Sequence, residues 1–205
     1  RVSMVFQYPE DQLFEETVFK DVCFGPLNKG LNKKQASLRA YDALRKMGLD
    51  AELDNQSPLA LSGGQKRMVA IAGAIAMEPE VLIMDEPAAG LDPASKMQLY
   101  DIVMSLRANM NMTVIIVSHN MEDAARYADR VFVMSDGHLV MDNSPREVFS
   151  DVEGLRAAHL DTTNSAYMAY ELNKMGILQG EKIISIDELE QALVKHFTEK
   201  GIITS

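Results

Sequence analysis

Cysteine is almost absent from the sequence, which has one, Cys23, in 205 residues. An internal disulfide is therefore excluded, and the chain fits a reducing compartment such as the cytosol. Basic residues are also few, because 20 Lys and Arg stand against 30 Asp and Glu and give a formal net charge of -10. No run of Lys or Arg offsets this balance, which argues against a nucleic-acid-binding surface.

Long apolar runs are missing too. The longest, Met68 to Met77, is far shorter than the ~18 apolar residues that a membrane span requires. The amino end lacks the basic region and the long apolar core of a secretory signal peptide. Because the chain begins at Arg1, directly in a strand-like run, we expect it to be an internal fragment.

A phosphate-binding loop of the form G-x-x-x-x-G-K-[ST] is lacking as well. Gly25 to Gly30 has the required glycine spacing, but Leu31 and Asn32 follow where the loop needs Lys and then Ser or Thr. This segment also follows a predicted helix rather than a strand. The chain therefore contains no P-loop.

The apolar fraction of 47% is high enough for a full core. Strand and helix patterns alternate from Val81 to Ala128, which predicts an α/β fold with a mostly parallel sheet flanked by helices. Three buried strands are predicted, at Val2 to Phe6, Val81 to Met84 and Thr113 to Val117. After the first strand, Pro9 favours an extended Tyr8.

Apolar periodicity and capping residues indicate the helices. The predicted helices of the first part are Glu15 to Phe24, ended by Gly25-Pro26; the segment from the N-cap Asn32 to Met47; Gly64 to Met77; one that begins at Asp92-Pro93; and Glu122 to Ala128. In the second of these helices, Gln35 completes a capping box, and Leu38, Tyr41 and Leu44 are expected to point inward.

The pattern changes near Ser150. Before this point, Asp136-Gly137 predicts a two-residue hairpin, and Ser144 to Glu147 predicts a capping box that opens another helix. Beyond it, Ala166 to Met175 and Asp187 to Phe197 are amphipathic, and no core strand is evident. We therefore predict a main domain, residues 1–150, and a helical carboxyl-terminal appendage, residues 151–205.

Two adjacent carboxylates, Asp85 and Glu86, end the apolar run Val81 to Met84 and precede Pro87. Phosphate chemistry uses carboxylates at the carboxyl end of a strand, so Asp85 is a candidate Mg²⁺ ligand. Glu86 is a candidate to orient or deprotonate an attacking water. The alternative is a strand that merely terminates in charge, but the apolar run and the proline favour the catalytic interpretation.

Three further groups are candidates for the same site. The turn Ser62 to Gln65 combines a hydroxyl, two glycines and the amides of a helix start, as in an anion-binding site, although such turns are usually structural. His119 follows a predicted strand, whose end would open on the same sheet edge as the strand that ends at Asp85, and Gln7 follows the first predicted strand. A lone His is more often structural, and Gln7 could equally bind Mg²⁺, bind water or cap a turn.

Together these residues make nearly the whole chain resemble the ATP-binding subunits of ABC transporters. Leu61 to Gln65 resembles the signature motif, Val81 to Glu86 the Walker B strand with its catalytic glutamate, and Ala89 to Asp92 the D-loop. Gln7 is similar to the Q-loop glutamine, and His119 to the switch histidine. Five ordered matches at compatible spacings are specific, whereas any one of them alone would not be.

The resemblance implies an ATPase with the P-loop NTPase fold, incomplete at its amino end, in residues 1–150, and a dimerisation region in residues 151–205. It implies ATP and Mg²⁺ as cofactors. The implied site comprises the metal ligands Gln7 and Asp85, the catalytic residues Glu86 and His119, the D-loop residue Asp92, and Ser62, Gly63, Gly64 and Gln65, which contact the ATP of a second subunit. Without a P-loop, the chain alone is expected to be inactive.

A finer resemblance is to the energy-coupling factor ATPases, which drive uptake of vitamins and of cobalt or nickel ions. Phe6 to Asn28, Gly64 to Pro87 and Ile186 to Leu193 carry it. It implies three partners at the cytoplasmic face of the membrane: a second ATPase subunit, identical or paralogous, an integral membrane coupling subunit, and a substrate-binding membrane subunit. The resemblance leaves the transported solute unspecified. Two alternatives remain: a soluble ABC ATPase of repair or translation, which the acidic balance disfavours, and a non-catalytic interaction module.

Overall fold

The computed structural model describes residues 1–202, which form two compact units divided between Ser118 and His119. The first unit contains a parallel three-stranded sheet in the order β1-β2-β3. Its strands are β1 (Val2–Val5), β2 (Val81–Asp85) and β3 (Thr113–Val117). Its helices are α1 (Val18–Asn28), α2 (Lys33–Lys46), α3 (Gly63–Ala76) and α4 (Pro93–Met110). The predicted parallel α/β organisation is present in this unit.

The sheet buries one face and leaves the other partly open. Val5, Leu82 and Met84 are buried on the first face, where they join the main core with residues of the helices. On the opposite face, Met4 and Ile115 are exposed, and Asp85 is half-buried. The prediction that β1 and β3 are buried strands is therefore wrong for one face of each, where Met4 and Ile115 are exposed.

Helix α1 begins and ends later than predicted. Thr17 caps its start by accepting a hydrogen bond from the Lys20 amide, and the helix continues through Gly25 and Pro26. A Cβ on Gly25 would lie 2.7 Å from the Met77 sulfur, so the glycine permits a close approach of that side chain. Pro26 lies in the final turn, where it removes one helical hydrogen bond two residues before the helix ends.

Helix α2 has the predicted capping box between Asn32 and Gln35, with both reciprocal hydrogen bonds formed. Leu44 is buried as predicted, but Leu38 is 62% exposed and Tyr41 is 45% exposed, so that part of the prediction is wrong. The buried face consists mainly of small residues: Ala36, Ala40 and Ala43. A face of alanines allows close helix packing, which moves the larger side chains to the margin of the contact.

The second unit contains a two-stranded antiparallel sheet and five helices within the described residues. Its elements are α5 (Met121–Tyr127), β4 (Val131–Ser135), β5 (His138–Asn143), α6 (Pro145–Ser150), α7 (Val152–Ala157), α8 (Asn164–Lys174) and α9 (Ile186–Glu199). The predicted hairpin turn is confirmed, since Asp136 (φ 49°) and Gly137 (φ 77°) both adopt the left-handed conformation of a type I′ turn. The two amphipathic stretches form α8 and α9, whereas α7 was not predicted.

The predicted capping box at Ser144 forms only in part. The Ser144 hydroxyl accepts a hydrogen bond from the Glu147 amide at 3.3 Å, as predicted. The Ser144 amide, however, donates to Asn143 Oδ1 at 2.9 Å, and the Glu147 carboxylate pairs with Lys182 instead. The division between residues 1–150 and 151–205 stays a prediction, and residues 203–205 lie outside the described part. No helix in residues 1–202 is long and apolar enough to cross a membrane.

Candidate active site

The carboxyl ends of β1 and β2 bring three of the candidate residues to one edge of the sheet. Val5 pairs with Met84, so Gln7 and the Asp85-Glu86 pair leave the sheet side by side. Asp85 is the last residue of β2 and pairs with Val117 of β3. Carboxylate and amide oxygens at such an edge are the groups expected where ligands bind to an open parallel sheet.

The backbone of Glu86 is held in an unusual conformation. Its φ of 46° lies in the left-handed region, which costs a non-glycine residue roughly 1–2 kcal/mol. Two hydrogen bonds hold it: the Glu86 amide donates to Val117 O at 2.9 Å, and the Glu86 carbonyl accepts from the Ala89 amide at 3.1 Å. Strained residues of this kind are concentrated at functional sites, so the conformation supports a special role for this carboxylate.

The turn after Gln7 differs from the predicted extended chain. Tyr8 adopts the left-handed conformation, with φ 55° and ψ 58°, and its carbonyl accepts a hydrogen bond from the Asp11 amide at 3.1 Å. The chain thereby reverses into a short 3-10 helix, Pro9–Gln12. The local preference of a residue before proline is overridden by this turn, and Gln7 remains exposed at the sheet edge.

The start of α3 is capped within the motif itself. The Ser62 hydroxyl accepts a hydrogen bond from the Gln65 amide, and the Gln65 side chain accepts one from the Ser62 amide. A Cβ added to Gly63 or Gly64 would meet nothing within 4 Å in the described part of the chain. Packing within residues 1–202 therefore does not explain why both positions lack a side chain.

Arg67, one turn into α3, connects the two segments that follow β1 and β2. Its guanidinium forms a bidentate ion pair with Glu10, and it donates hydrogen bonds to the carbonyls of Pro87 and Ala89. Burial raises the pKa of Glu10, but hydrogen bonding to Arg67 and the neighbouring positive charges outweigh it, so the net pKa is lowered. Arg67 was not among the predicted site residues, although its spacing of four from the buried Ile71 was a usable signal.

Asp92 and His119 have different surroundings. Asp92 caps α4, because its Oδ1 accepts hydrogen bonds from the amides of Ala94 (3.0 Å) and Ser95 (3.1 Å). Hydrogen bonding from the Ser95 hydroxyl lowers the pKa of Asp92. Capping accounts for Asp92 structurally, and its D-loop role stays a prediction. His119 is exposed and is the first residue of the second unit, and its catalytic role also stays a prediction.

The oxygen ligands at the sheet edge suit a magnesium ion that is only partly bound by protein. No group of three or more His, Cys, Asp or Glu residues in the described chain could hold a metal. Gln7 and Asp85 offer one amide and one carboxylate oxygen donor. Mg²⁺ is commonly held by one or two carboxylates, with water and substrate phosphates completing its octahedron, so this small ligand set fits.

Comparisons with known proteins agree with the fold and with the motifs. Residues 1–89 match the family model described as ABC transporter. The energy-coupling factor transporter ATP-binding protein EcfA2 of Caldanaerobacter subterraneus subsp. tengcongensis is 45% identical over 196 residues, which cover 96% of this chain and 68% of that protein. EcfA2 of Clostridium perfringens is 46% identical, with coverage of 95% and 69%.

Two solved structures are similar to the chain. CbiO1 from Clostridium perfringens, part of the ABC transporter complex CbiONQ, has a TM-score of 0.68 and 35% identity, with coverage of 85% of this chain and 65% of its own. A dimeric ATP-binding cassette in a post-hydrolysis state, bound to ADP and Pi, has a TM-score of 0.61 and 26% identity. This chain thus spans about two thirds of the length of the first relatives.

Proposed function

This chain belongs to the ATP-binding proteins of energy-coupling factor transporters, within the ABC transporter family, and from that premise we propose that the intact protein hydrolyses ATP to drive import. The observation that carries the proposal is the placement of Asp85 and Glu86 at the carboxyl end of the central strand, with Glu86 fixed in a strained conformation. A carboxylate oriented by the backbone in this way suits the positioning of a water for phosphoryl transfer.

The residues at the sheet edge have two roles, metal binding and activation of water. Gln7 and Asp85 would hold Mg²⁺, which neutralises charge on phosphate oxygens when bound. Glu86 orients the attacking water and accepts its proton, because its carboxylate lies one residue beyond the metal ligand. The carbonyl of Val117 keeps Glu86 in place through the hydrogen bond to its amide.

Ser62 to Gln65 serve a second nucleotide, bound by another subunit. The Ser62 hydroxyl and the first amides of α3 form an anion-binding helix start, and the two glycines leave space for a phosphate group to approach. The glycines weaken the helix relative to alanine, and no packing in residues 1–202 requires them. The approach of a phosphate group would explain why these two positions are glycine. The related ATP-binding cassette is a dimer bound to ADP and Pi.

We expect the protein to copurify with integral membrane subunits when it is isolated in mild detergent from its own cells, because an importer's ATPase acts on membrane partners. Affinity purification followed by identification of the bound proteins measures this. The control is the same purification from an untagged strain. Recovery of ribosomal or DNA-repair proteins without any membrane subunit would contradict the import function and favour the soluble alternative.

The 205-residue chain itself is expected to bind ATP more weakly than micromolar, because it contains no P-loop to hold the β- and γ-phosphates. Calorimetric titration of the isolated chain with Mg²⁺ and ATP measures this, and a circular dichroism spectrum establishes that the chain is folded. A micromolar dissociation constant would overturn the claim that its own nucleotide site is incomplete.

A further inference from the structure

We propose that Arg67 is a positioning residue for the hydrolytic reaction: it fixes the turn that follows Glu86 by bonding that turn to the segment that follows Gln7. The inference rests on the proposed role of Glu86. It adds a residue that acts through the backbone next to the catalytic carboxylate, because Arg67 bonds to the carbonyls of Pro87 and Ala89.

The contacts of Arg67 are directed at both segments. Its Nη1 donates to Pro87 O at 3.2 Å and to Ala89 O at 2.6 Å. Its Nε and Nη2 donate to the two carboxylate oxygens of Glu10, at 3.1 and 2.7 Å. One guanidinium thus joins three points of the chain, and two of them, Pro87 and Ala89, lie in the turn that follows Glu86.

The burial of Arg67 makes these contacts hard to exchange. Its side chain is 4% exposed and that of Glu10 is 20% exposed, so little water is available to replace a lost partner. Arginine stays charged in proteins, and its planar fork matches a carboxylate in two places at once. Movement of the turn at residues 87–89 would leave donors of a buried cation unpaired.

Geometry links this turn to the carboxylate. Glu86 is strained at φ 46°, its carbonyl accepts from the Ala89 amide, and its neighbour is a proline with a fixed φ. A strained conformation persists only where its surroundings enforce it. Arg67 holds the turn on the carboxyl-terminal side of Glu86 through its hydrogen bond to Ala89 O. Val117 O in β3 holds the Glu86 amide.

Arg67→Met in the full-length encoded protein tests the inference. We expect kcat for ATP hydrolysis to fall about 10- to 100-fold, since small displacements of a catalytic group have effects of this size, while KM for ATP stays within about twofold. Amide hydrogen exchange in residues 87–91 should rise in parallel. Arg67→Lys keeps the charge but loses the fork, and its kcat should also fall.

Arg45→Met is the matched control. Arg45 also pairs with a carboxylate, Asp54, and a backbone carbonyl, Leu49 O, in the same unit. Its hydrogen bonds go to Leu49 and Asp54 rather than to the turn at residues 87–89, so we expect this variant to keep the kcat of the wild type and normal exchange in residues 87–91. An equal loss of kcat in both arginine variants would overturn the inference in favour of a general role in folding.

The double variant Arg67→Met, Glu10→Gln separates positioning from stability. It removes both charges of the buried pair, so it should regain thermal stability relative to Arg67→Met alone while kcat stays low. A folded double variant, or Arg67→Lys, with kcat within about twofold of the wild type would refute the inference. Full turnover in Glu86→Gln would refute the proposed function instead, so the two failures are distinguishable.

Discussion

Glu86→Gln in the full-length encoded protein is expected to keep ATP binding and to lose about 100-fold or more of its turnover. The amide keeps the size of the side chain but cannot accept the proton of an attacking water, and general bases contribute rate factors of about this size. Binding is retained because Glu86 is not assigned to the metal or to the phosphates. Steady-state phosphate release measures turnover, and equilibrium binding of ATP measures affinity.

Glu80→Gln is the control for this substitution. Glu80 precedes the same strand at its opposite end and forms an exposed ion pair with Arg1, which contributes little to stability. We expect its turnover to match that of the wild type. Wild-type turnover in Glu86→Gln would exclude Glu86 as the catalytic base, and a similar loss in Glu80→Gln would attribute the effect to the strand as a whole.

Gly64→Ala is expected to stabilise the fold while it lowers the turnover of ATP. The new methyl group meets nothing within 4 Å in the described chain, and alanine favours a helix over glycine by at most about 0.5–1 kcal/mol, the value in mid-helix. Thermal unfolding should therefore occur up to about 4 °C higher. Turnover should fall about 100-fold, because the methyl group occupies the space through which a phosphate of the neighbouring nucleotide approaches the helix start.

Gly73→Ala is the matched control, because Gly73 lies in the same helix and a Cβ there also meets nothing within 4 Å. This variant should gain at least as much stability, because Gly73 lies in the middle of the helix, and it should keep full turnover. Calorimetric scans and phosphate release distinguish the two variants. If Gly64→Ala also kept full turnover, Ser62 to Gln65 would be a structural cap rather than a ligand site.

Local chemistry made much of the fold predictable. The caps at Asn32 and Asp92 and the turn at Asp136-Gly137 depend on neighbouring residues, and all three are present. The predicted fold class and the resemblance to energy-coupling factor ATPases are both confirmed by the similarity to EcfA2 proteins and to CbiO1. The order of the motifs carried that resemblance.

Contacts between distant parts of the chain were not predictable in this way. Arg67 and Glu10 are 57 residues apart in sequence, and no local pattern pairs them. The apolar run Thr113–Val117 predicts a strand, but it does not indicate which face of that strand is covered. Tyr8 is left-handed although a residue before proline prefers an extended conformation, and Pro26 lies within a helix although proline usually ends one.

Helix α3 carries Ser62 at its start and Arg67 about one turn later, a rise of roughly 7 Å along its axis. Ser62 is proposed to contact the nucleotide of a neighbouring subunit. Arg67 donates a hydrogen bond to Ala89 O, in the turn that follows Glu86 of its own subunit. With these proposed roles, a shift of the helix at one contact would also move the other. Because Glu86 is proposed to act on turnover rather than on binding, we expect occupancy of the neighbour's nucleotide site to change the rate of hydrolysis at this subunit's own site.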